Sequence, residues 1–194
     1  MRERLSYGSL RMAQRHPGVF YRHTVEALLD QVMKARGLMT PALESELRTI
    51  GVDVGHPVDV DFETWLNLVK VCARSLEPLL LPDEALVQLG KSVIDGYTKT
   101  MLGQGALLLS KLAGPKRSLI KAAETWAIAN TVYKVRTEEK GASRVEVHVN
   151  VGGEVAPYNR GVLLGALGKL SVRDGKVEQR DELDGVTYVI TWST

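Results

Sequence analysis

The sequence has few of the residues that build disulfide or metal-bound frameworks: Cys72 is its one cysteine, and there are four histidines. A single thiol cannot form an intrachain disulfide, which favours a reducing compartment, and it cannot supply a sulfur-rich zinc or iron–sulfur site. The histidines have no carboxylate or second histidine at the i, i+4 spacing of a helical metal site; they are His16, His23, His56 and His148. We therefore predict surface histidines, no metal site and no cofactor.

Long apolar runs are also missing. The most apolar stretch covers residues 105–109, far short of the ~20 residues that a membrane helix needs. The N-terminus alternates arginine with polar residues and has no apolar segment typical of a signal peptide. These absences predict a soluble, cytoplasmic protein without a transmembrane segment.

The net charge is only +2, but it is unevenly distributed. The first 22 residues hold five arginines and one acidic residue: Arg2, Arg4, Arg11, Arg15, Arg22 and Glu3. We predict a basic arm over residues 1–18 and a single α+β domain over residues 19–194, because this length suffices for one core and no low-complexity linker interrupts it. The arm is either a solvated tail or an attraction site for an acidic partner, a membrane surface or nucleic acid.

Apolar residues recur at helical spacing through the first two thirds of the chain. The pattern predicts a series of helices, over residues 19–35, 41–50, 62–77 and 82–101 and after residue 115. Thr40 and Asp61 are typical N-cap residues. Gly103 and Gly105 are expected to break or bend the chain, and residues 106–113, apolar nearly all round, predict a central buried helix.

At Asn130 the apolar period changes from that of a helix to the two-residue period of a strand. Two alternating segments on either side of a Lys140-Gly141 turn predict one hairpin, and two more around Asp184-Gly185 predict a second. Pro157 opens a helix between the hairpins. The fold class is therefore predicted to be α+β: an N-terminal helical bundle packed on a four-stranded antiparallel sheet, in the order helices, then ββ-α-ββ.

Three glycines, Gly161, Gly165 and Gly168, remove side chains from the helix between the hairpins. Such a bare face lets another backbone approach closely, so tight packing of this helix on the sheet is one interpretation and a ligand against the face is the other. The sequence has neither a Walker-type phosphate loop nor a G-x-G-x-x-G motif after a strand. With no convergent catalytic groups recognisable, we predict that the protein is not an enzyme.

Several short motifs carry a family resemblance. They are Glu63-Thr64-Trp65, Gln88-Leu89-Gly90 through Gly96-Tyr97, Ala113-Gly114-Pro115, Asn130-x-x-x-x-Val135 and Tyr158-x-x-Gly161-x-x-x-Gly165. With these motifs the chain resembles an uncharacterised paralogous family of myxobacterial proteins, a domain of unknown function. The resemblance covers roughly residues 25–192, nearly the whole chain.

The order of helices and hairpins is also distantly similar to a ligand-binding superfamily: the 4-vinyl reductase domain, core subunits of the transport-particle (TRAPP) tethering complex and haem nitric-oxide-binding sensors. The resemblance implies a helical bundle against a twisted sheet with an apolar cavity between them. In some relatives that cavity holds an acyl chain, a tetrapyrrole-related ligand or haem, and several relatives dimerise through helices.

The haem branch has a porphyrin-carboxylate motif, Y-x-S-x-R, which Tyr7-Gly8-Ser9-Leu10-Arg11 matches. In that branch the motif follows the proximal histidine and lies near the C-terminal sheet. Here it precedes the whole helical region, and no suitably placed histidine comes before it. We therefore predict no haem.

Together these observations predict a noncatalytic ligand-binding or sensory module, regulatory in role, with an apolar pocket for a small hydrophobic ligand such as an acyl chain. The predicted lining residues are Trp65, Val69, Cys72, Tyr97, Leu108 and Trp126. Cys72 is either an inert buried thiol or an acylated one that reaches into the pocket. The alternative function is a protein-protein interaction adaptor with a filled core. Partners are thus a hydrophobic ligand or a protein, with a homodimer open from the resemblance and no specific nucleic acid.

Overall fold

The computed structural model describes residues 17–170 and 172–193, apart from the side chain of Ala127. The predicted basic arm, with its Tyr7–Arg11 motif and His16, lies outside the described residues except for Pro17 and Gly18. Within the described part, helices come first and a small antiparallel sheet comes last. The α+β fold class predicted from the sequence is confirmed.

The helical region runs from residue 22 to residue 129. Its helices are α1 (Arg22–Leu28), extended by a π turn (Leu29–Met33) and a 3-10 turn (Lys34–Arg36), α2 (Pro41–Thr49), α3 (Phe62–Leu76), α4 (Pro82–Tyr97), α5 (Met101–Ala113) and α6 (Pro115–Ala129). The strands are β1 (Val19–Phe20), β2 (Val60–Asp61), β3 (Val135–Glu139), β4 (Arg144–Val149), β5 (Arg173–Glu182) and β6 (Gly185–Ser193). A 3-10 turn (Gly153–Val155) leads into α7 (Ala156–Lys169), between β4 and β5.

The predicted helix starts have the hydrogen bonds that caps require. The Thr40 hydroxyl accepts from the backbone N–H of Leu43 at 3.2 Å, which satisfies one of the free donors at the start of α2. The Asp61 carboxylate accepts from the N–H of Thr64 at 2.8 Å and does the same for α3. Gly37 ends the first helical segment with a φ of 69°, a left-handed conformation that glycine adopts without strain.

The C-terminal sheet has four strands in the order β3-β4-β6-β5, all antiparallel. Val147 on β4 lies opposite Tyr188 on β6, and both side chains point into the core. The inner face is fully or nearly fully buried, with Val145, Val147, Val149, Val186, Tyr188, Ile190 and Trp192. A separate two-stranded sheet pairs β1 with β2, and Phe20 also bridges to Asn130 at the end of α6.

The glycine-bearing helix α7 meets a different surface from the one expected. Its bare face lies against α4, with Gly161 next to Val87 and Gly165 next to Ile94. Where α7 contacts the sheet, it does so mainly at strand β5. The close approach is therefore between two helices, because a glycine face fits the ridge of another helix more closely than a layer of sheet side chains does.

The prediction of a buried central helix over residues 106–113 is wrong. Helix α5 begins after Thr100, whose hydroxyl caps the N–H of Gly103 at 3.0 Å, so both glycines lie inside the helix and the chain bends before it. The outer face of α5 is exposed, with Leu108 at 63% and Leu112 at 78%. Helix α5 packs mainly on α6 and has no second layer outside it among the described residues, so an apolar sequence did not produce a buried helix.

None of the helices in residues 17–193 that the structure describes is both long and apolar enough to traverse a lipid bilayer.

Candidate functional site

The core between α3, α6, α7 and the sheet holds five aromatic rings in contact, which we call the aromatic cluster. They are Phe20, Trp65, Trp126, Tyr133 and Tyr158. Phe20 stacks on the Trp65 indole with centroids 4.5 Å apart and planes within 9°. Phe20 also meets Tyr133 edge-on at 5.4 Å, and Tyr158 meets Trp65 edge-on at 6.0 Å. Stacked and edge-to-face pairs of this kind stabilise an aromatic core beyond the area they bury.

Polar groups lie at one side of the aromatic cluster, on α7 and β6. The Tyr133 hydroxyl donates to the Asn159 side-chain oxygen at 3.2 Å, and the Tyr188 hydroxyl donates to the backbone oxygen of Ala156 at 3.1 Å. Burial raises the pKa of the Tyr188 hydroxyl, whereas the Asn159 side chain and the charge of Arg160 both act to lower it. These groups therefore form one polar corner of an otherwise apolar interior.

Three buried N–H donors in this region have no hydrogen-bond partner among the described residues: Trp65 Nε1, Asn159 Nδ2 and Arg160 Nε. A buried donor without an acceptor costs on the order of 1–3 kcal/mol, more when the group is charged. Folded proteins satisfy nearly all such groups with protein atoms, ordered water or a ligand. An acceptor supplied by a bound molecule is therefore one way to satisfy these donors.

Burial determines which protonation states this site can use. Burial raises the pKa of the Cys72 thiol to about 12. It also raises the pKa of the Tyr133 and Tyr158 hydroxyls well above the ordinary tyrosine value. At physiological pH these groups are neutral, so none of them is a ready nucleophile or general base. The site offers hydrogen-bond donors and apolar surface rather than reactive groups.

The structure brings four of the six predicted pocket residues to this region. Trp65, Val69 and Cys72 are fully buried on α3. Trp126 on α6 is partly buried against the same core, where its ring contacts Tyr133. Tyr97 and Leu108 do not line the core. Tyr97 is the last residue of α4 and is 43% exposed, while Leu108 lies on the outer face of α5.

The sequence pattern did not reveal the polar half of the site. Tyr158 stands within a glycine motif that predicts only close packing, and Asn159 and Arg160 follow it directly. Tyr133 follows the change of period at Asn130, where an alternating pattern marks it as core. Nothing in a local pattern shows that Asn159 and Arg160 on α7 meet Tyr188 on β6, because that contact depends on the fold.

A second group of polar side chains lies on the outer face of the sheet. His148 Nδ1 is 3.1 Å from the Thr187 hydroxyl and 3.5 Å from Glu182, and its Nε2 is 3.6 Å from Asp184. A separate hydrogen bond that the Thr187 hydroxyl donates to the Glu182 carboxylate lowers the pKa of Glu182. The sequence predicts a surface His148 without a carboxylate partner, whereas its side chain is only 11% exposed and has two carboxylates beside it, from the end of β5 and from the turn that follows.

Imidazole and two carboxylates within 4.8 Å of one another are ligand types that zinc accepts. Each carboxylate, however, is also paired with an arginine, at 3.5 Å for Asp184 and 3.2 Å for Glu182. The arginines are Arg136 and Arg180. A divalent cation would have to displace both, so the arrangement favours a surface charge network over a metal centre.

An open cleft of about 410 Å³ lies where the α5–α6 turn meets the β3–β4 turn. Gly114 and Pro115 form one wall and Trp192 contributes to the floor. Its lining also contains the Lys116–Glu139 ion pair of 3.1 Å. Its mixture of an ion pair with a small apolar floor offers less to a hydrophobic ligand than the aromatic cluster does.

The arrangement of a helical region against a four-stranded antiparallel sheet is that of H-NOX domains. A point variant of the Tt H-NOX superposes with a TM-score of 0.67 at 12% identity, covering 90% of this chain and 95% of its own. An oxygen-binding H-NOX domain related to soluble guanylate cyclases gives 0.65 at 13% identity, covering 89% and 95%. A point mutant of the T. tengcongensis H-NOX gives 0.62 at 13% identity, covering 89% and 97%. At such identities the likeness establishes a shared fold.

The chain belongs to the DUF2378 family, described as proteins of unknown function, which matches residues 19–193. This agrees with the predicted membership of a family of unknown function. No curated protein matches the sequence.

Some of these H-NOX structures are described by their haem, so the fit of a haem to this core can be tested on the residues themselves. A haem needs an axial ligand such as histidine, thiolate or tyrosinate. The described histidines, His23, His56 and His148, all lie outside the core. Phe20 and Trp65 are stacked 4.5 Å apart and leave no planar gap between them. The described core residues therefore offer no histidine to a haem.

Proposed function

We propose that the protein is a noncatalytic ligand-binding module that holds a small amphiphilic molecule, with a hydrophobic body against the aromatic cluster and an oxygen-bearing head at Asn159 and Arg160. The observation that carries this proposal is a set of three buried N–H donors without acceptors among the described residues, in a core that is otherwise largely apolar. A carboxylate accepts from several donors at once and pairs with a guanidinium. A fatty acid or a related acyl chain has this combination of groups.

The fold supports a sensory role for the same site. H-NOX domains share the arrangement of helices and sheet, and one of these domains is described as oxygen-binding. We propose that this chain uses the same architecture with a different ligand, because its described core has no histidine to hold a haem and offers hydrogen-bond donors instead. The predicted regulatory role, the homodimer and the cytoplasmic location stay predictions.

The absence of enzymatic activity is part of the proposal. The hydroxyls of Tyr133 and Tyr158 and the thiol of Cys72 are neutral because burial raises each pKa. A general base or nucleophile needs a pKa nearer to the working pH. The site can thus bind and release a molecule, and its own groups give no means of converting it.

The first test is mass spectrometry of an organic extract from the freshly purified, denatured protein. We expect a co-purifying acyl compound. The second test is a titration of delipidated protein with a fatty acid and with its methyl ester, followed by tryptophan fluorescence. The acid is expected to bind about ten-fold or more tightly than the ester, because hydrogen bonds to a charged group contribute roughly 1.5–3 kcal/mol.

Variants separate the head-group contacts from general effects on the fold. Arg160→Gln should abolish most of the preference for the acid over the ester, whereas Arg173→Gln, at an exposed position on β5, should leave it unchanged. Trp65→Phe keeps a ring against Phe20 and removes the indole donor, and Trp192→Phe is its control. An extract free of acyl compounds together with no fluorescence change for any chain length would contradict the proposal.

A protein-interaction adaptor with a filled core is the second candidate. The close stacking of Phe20 on Trp65 favours it, since tightly packed rings leave less room for a guest. The extract and the titration distinguish the two functions directly. A filled core predicts a clean extract and identical fluorescence with the acid, the ester and buffer.

A further inference from the structure

The outer face of α5 carries an unusual number of exposed large apolar side chains. At the spacing i, i+1, i+7, i+8 and i+11 these residues fall on one side of the helix. They are Met101 at 90%, Leu102 at 81%, Leu108 at 63%, Leu109 at 69% and Leu112 at 78% exposure. Single exposed leucines are ordinary, whereas a contiguous group on one helix face marks a surface that another body covers.

The charged residues in the segment that contains α5 are all basic. Between Gly96 and Ala123 the sequence has five basic residues and no aspartate or glutamate. The basic residues are Lys99, Lys111, Lys116, Arg117 and Lys121. Lys116 and Lys121 have acidic partners, Glu139 and Glu124, at 3.1 Å. The other three have no ion pair among the described residues, so their charge is available to an anionic partner.

The first described strand of the chain lies next to the end of α6. Val19 exchanges two hydrogen bonds of 2.9 Å with Thr131, directly after α6. Strand β1 is therefore held beside the end of α6, the helix on which α5 packs. Residues 1–16 contain four arginines and one glutamate.

We propose that the outer face of α5 docks on an anionic lipid surface, with the helix lying in the plane of the interface. An exposed apolar helix face, with unpaired basic residues in the same segment, has the features of interfacial helices, whose binding combines buried apolar area with attraction to anionic lipids. A second copy of the chain fits this face poorly, because two such surfaces would bring their positive charges together. With thirteen residues, α5 is suited to lie on a bilayer and too short to cross it.

The experiment is co-sedimentation of the full chain with vesicles of phosphatidylcholine alone and of phosphatidylcholine mixed with phosphatidylserine. We expect binding to the mixed vesicles that is about ten-fold or more tighter than to the neutral ones and that weakens as salt is raised. The double variant Leu109→Gln/Leu112→Gln should lose about ten-fold or more of that binding. The matched control is Leu79→Gln/Leu183→Gln, which removes two leucines of 97% and 105% exposure outside α5 and should bind as the wild type does.

A charge variant tests the second half of the proposal. Lys99→Glu/Lys111→Glu leaves every exposed leucine in place and should reduce binding to the mixed vesicles by about ten-fold or more, with binding to neutral vesicles unchanged. Circular dichroism of each variant verifies that the fold is retained. Equal binding to both vesicle types, equal loss in the control variant, or a dimer in light scattering that the Leu109/Leu112 changes dissociate would each overturn the proposal.

Discussion

Gly90 on α4 and Gly161 on α7 face each other's helices at backbone distance. A Cβ on Gly90 would lie 2.3 Å from the carbonyl oxygen of Tyr158, and a Cβ on Gly161 would lie 2.2 Å from that of Val87. Both distances are shorter than any contact that a real methyl group makes with a carbonyl. The two helices therefore pack as closely as they do because both positions lack a side chain.

Gly161→Ala is expected to lower the free energy of unfolding by about 1–3 kcal/mol, because the added methyl forces α4 and α7 apart. The control is Gly168→Ala on the same helix, where a Cβ would meet nothing within 4 Å. That change should be neutral or stabilise by up to about 1 kcal/mol, since alanine has the higher helix propensity. Urea denaturation monitored by circular dichroism measures both, and equal destabilisation by the two variants would refute the close helix crossing.

The N-cap of α3 gives a prediction about pH. Asp61→Ala should cost about 1 kcal/mol of stability at neutral pH, because the N–H of Thr64 loses its acceptor. That hydrogen bond lowers the pKa of the Asp61 carboxyl in the folded protein. A carboxyl whose pKa is depressed by folding stabilises above its unfolded pKa, about 3.9, and loses that contribution as the pH falls through the lower folded pKa.

Asp61→Asn serves as the control for this pH dependence, since an asparagine caps a helix without titrating. The stability difference between the wild type and Asp61→Asn should accordingly shrink as the solution is acidified below about pH 4. A difference that grows on acidification would contradict the sign derived from the capping geometry. Thermal unfolding across a series of buffers measures it.

Cys72 provides a probe of opening motions because it is the sole thiol and is fully buried. Burial raises its pKa to about 12, so both access and thiolate formation are suppressed in the folded state. We expect negligible alkylation by iodoacetamide under native conditions and rapid alkylation in denaturant. The measured rate should track the stability of variants such as Gly161→Ala. Fast native alkylation would show that the core around α3 is open.

The exposed face of α5 and the buried face of α6 should respond differently to mutation. Leu112→Gln replaces a side chain that is 78% exposed and should change the free energy of unfolding by less than about 0.5 kcal/mol. Leu119→Ala removes a fully buried side chain on α6 and should cost about 2–5 kcal/mol. Thermal or urea denaturation compares them. A large loss in Leu112→Gln would restore the buried helix that the sequence pattern predicts.

Local signals were enough to predict much of this fold. Thr40 and Asp61 are caps because their short polar side chains reach the next turn, which depends only on neighbouring residues. The alternating valines of β4 have one wet and one buried face for the same local reason. Capping and alternation are properties of a few consecutive residues, so a sequence states them directly.

The wrong or missing predictions concern which elements pack against one another. The apolar run of α5 predicts burial, yet whether a helix is covered depends on how many layers the fold has outside it, and among the described residues α5 packs mainly on α6. The polar corner of the core likewise joins Asn159 and Arg160 to Tyr188, which lies on another element much further along the chain. No periodicity within one element carries that information. A sequence pattern describes the face of an element and not its neighbour.

For the ligand-binding function proposed above, the shortness of β1 suggests a route into the core. Phe20 covers one face of the Trp65 ring from a two-residue strand that pairs with Val60, Asp61 and Asn130. Short segments at the edge of a fold detach by fraying, at a small fraction of the free energy of global unfolding. Release of this strand would uncover the indole while α3, α7 and the sheet stay assembled. The rate of ligand exchange would then depend on how long β1 stays detached, and no hinge motion between domains would be needed.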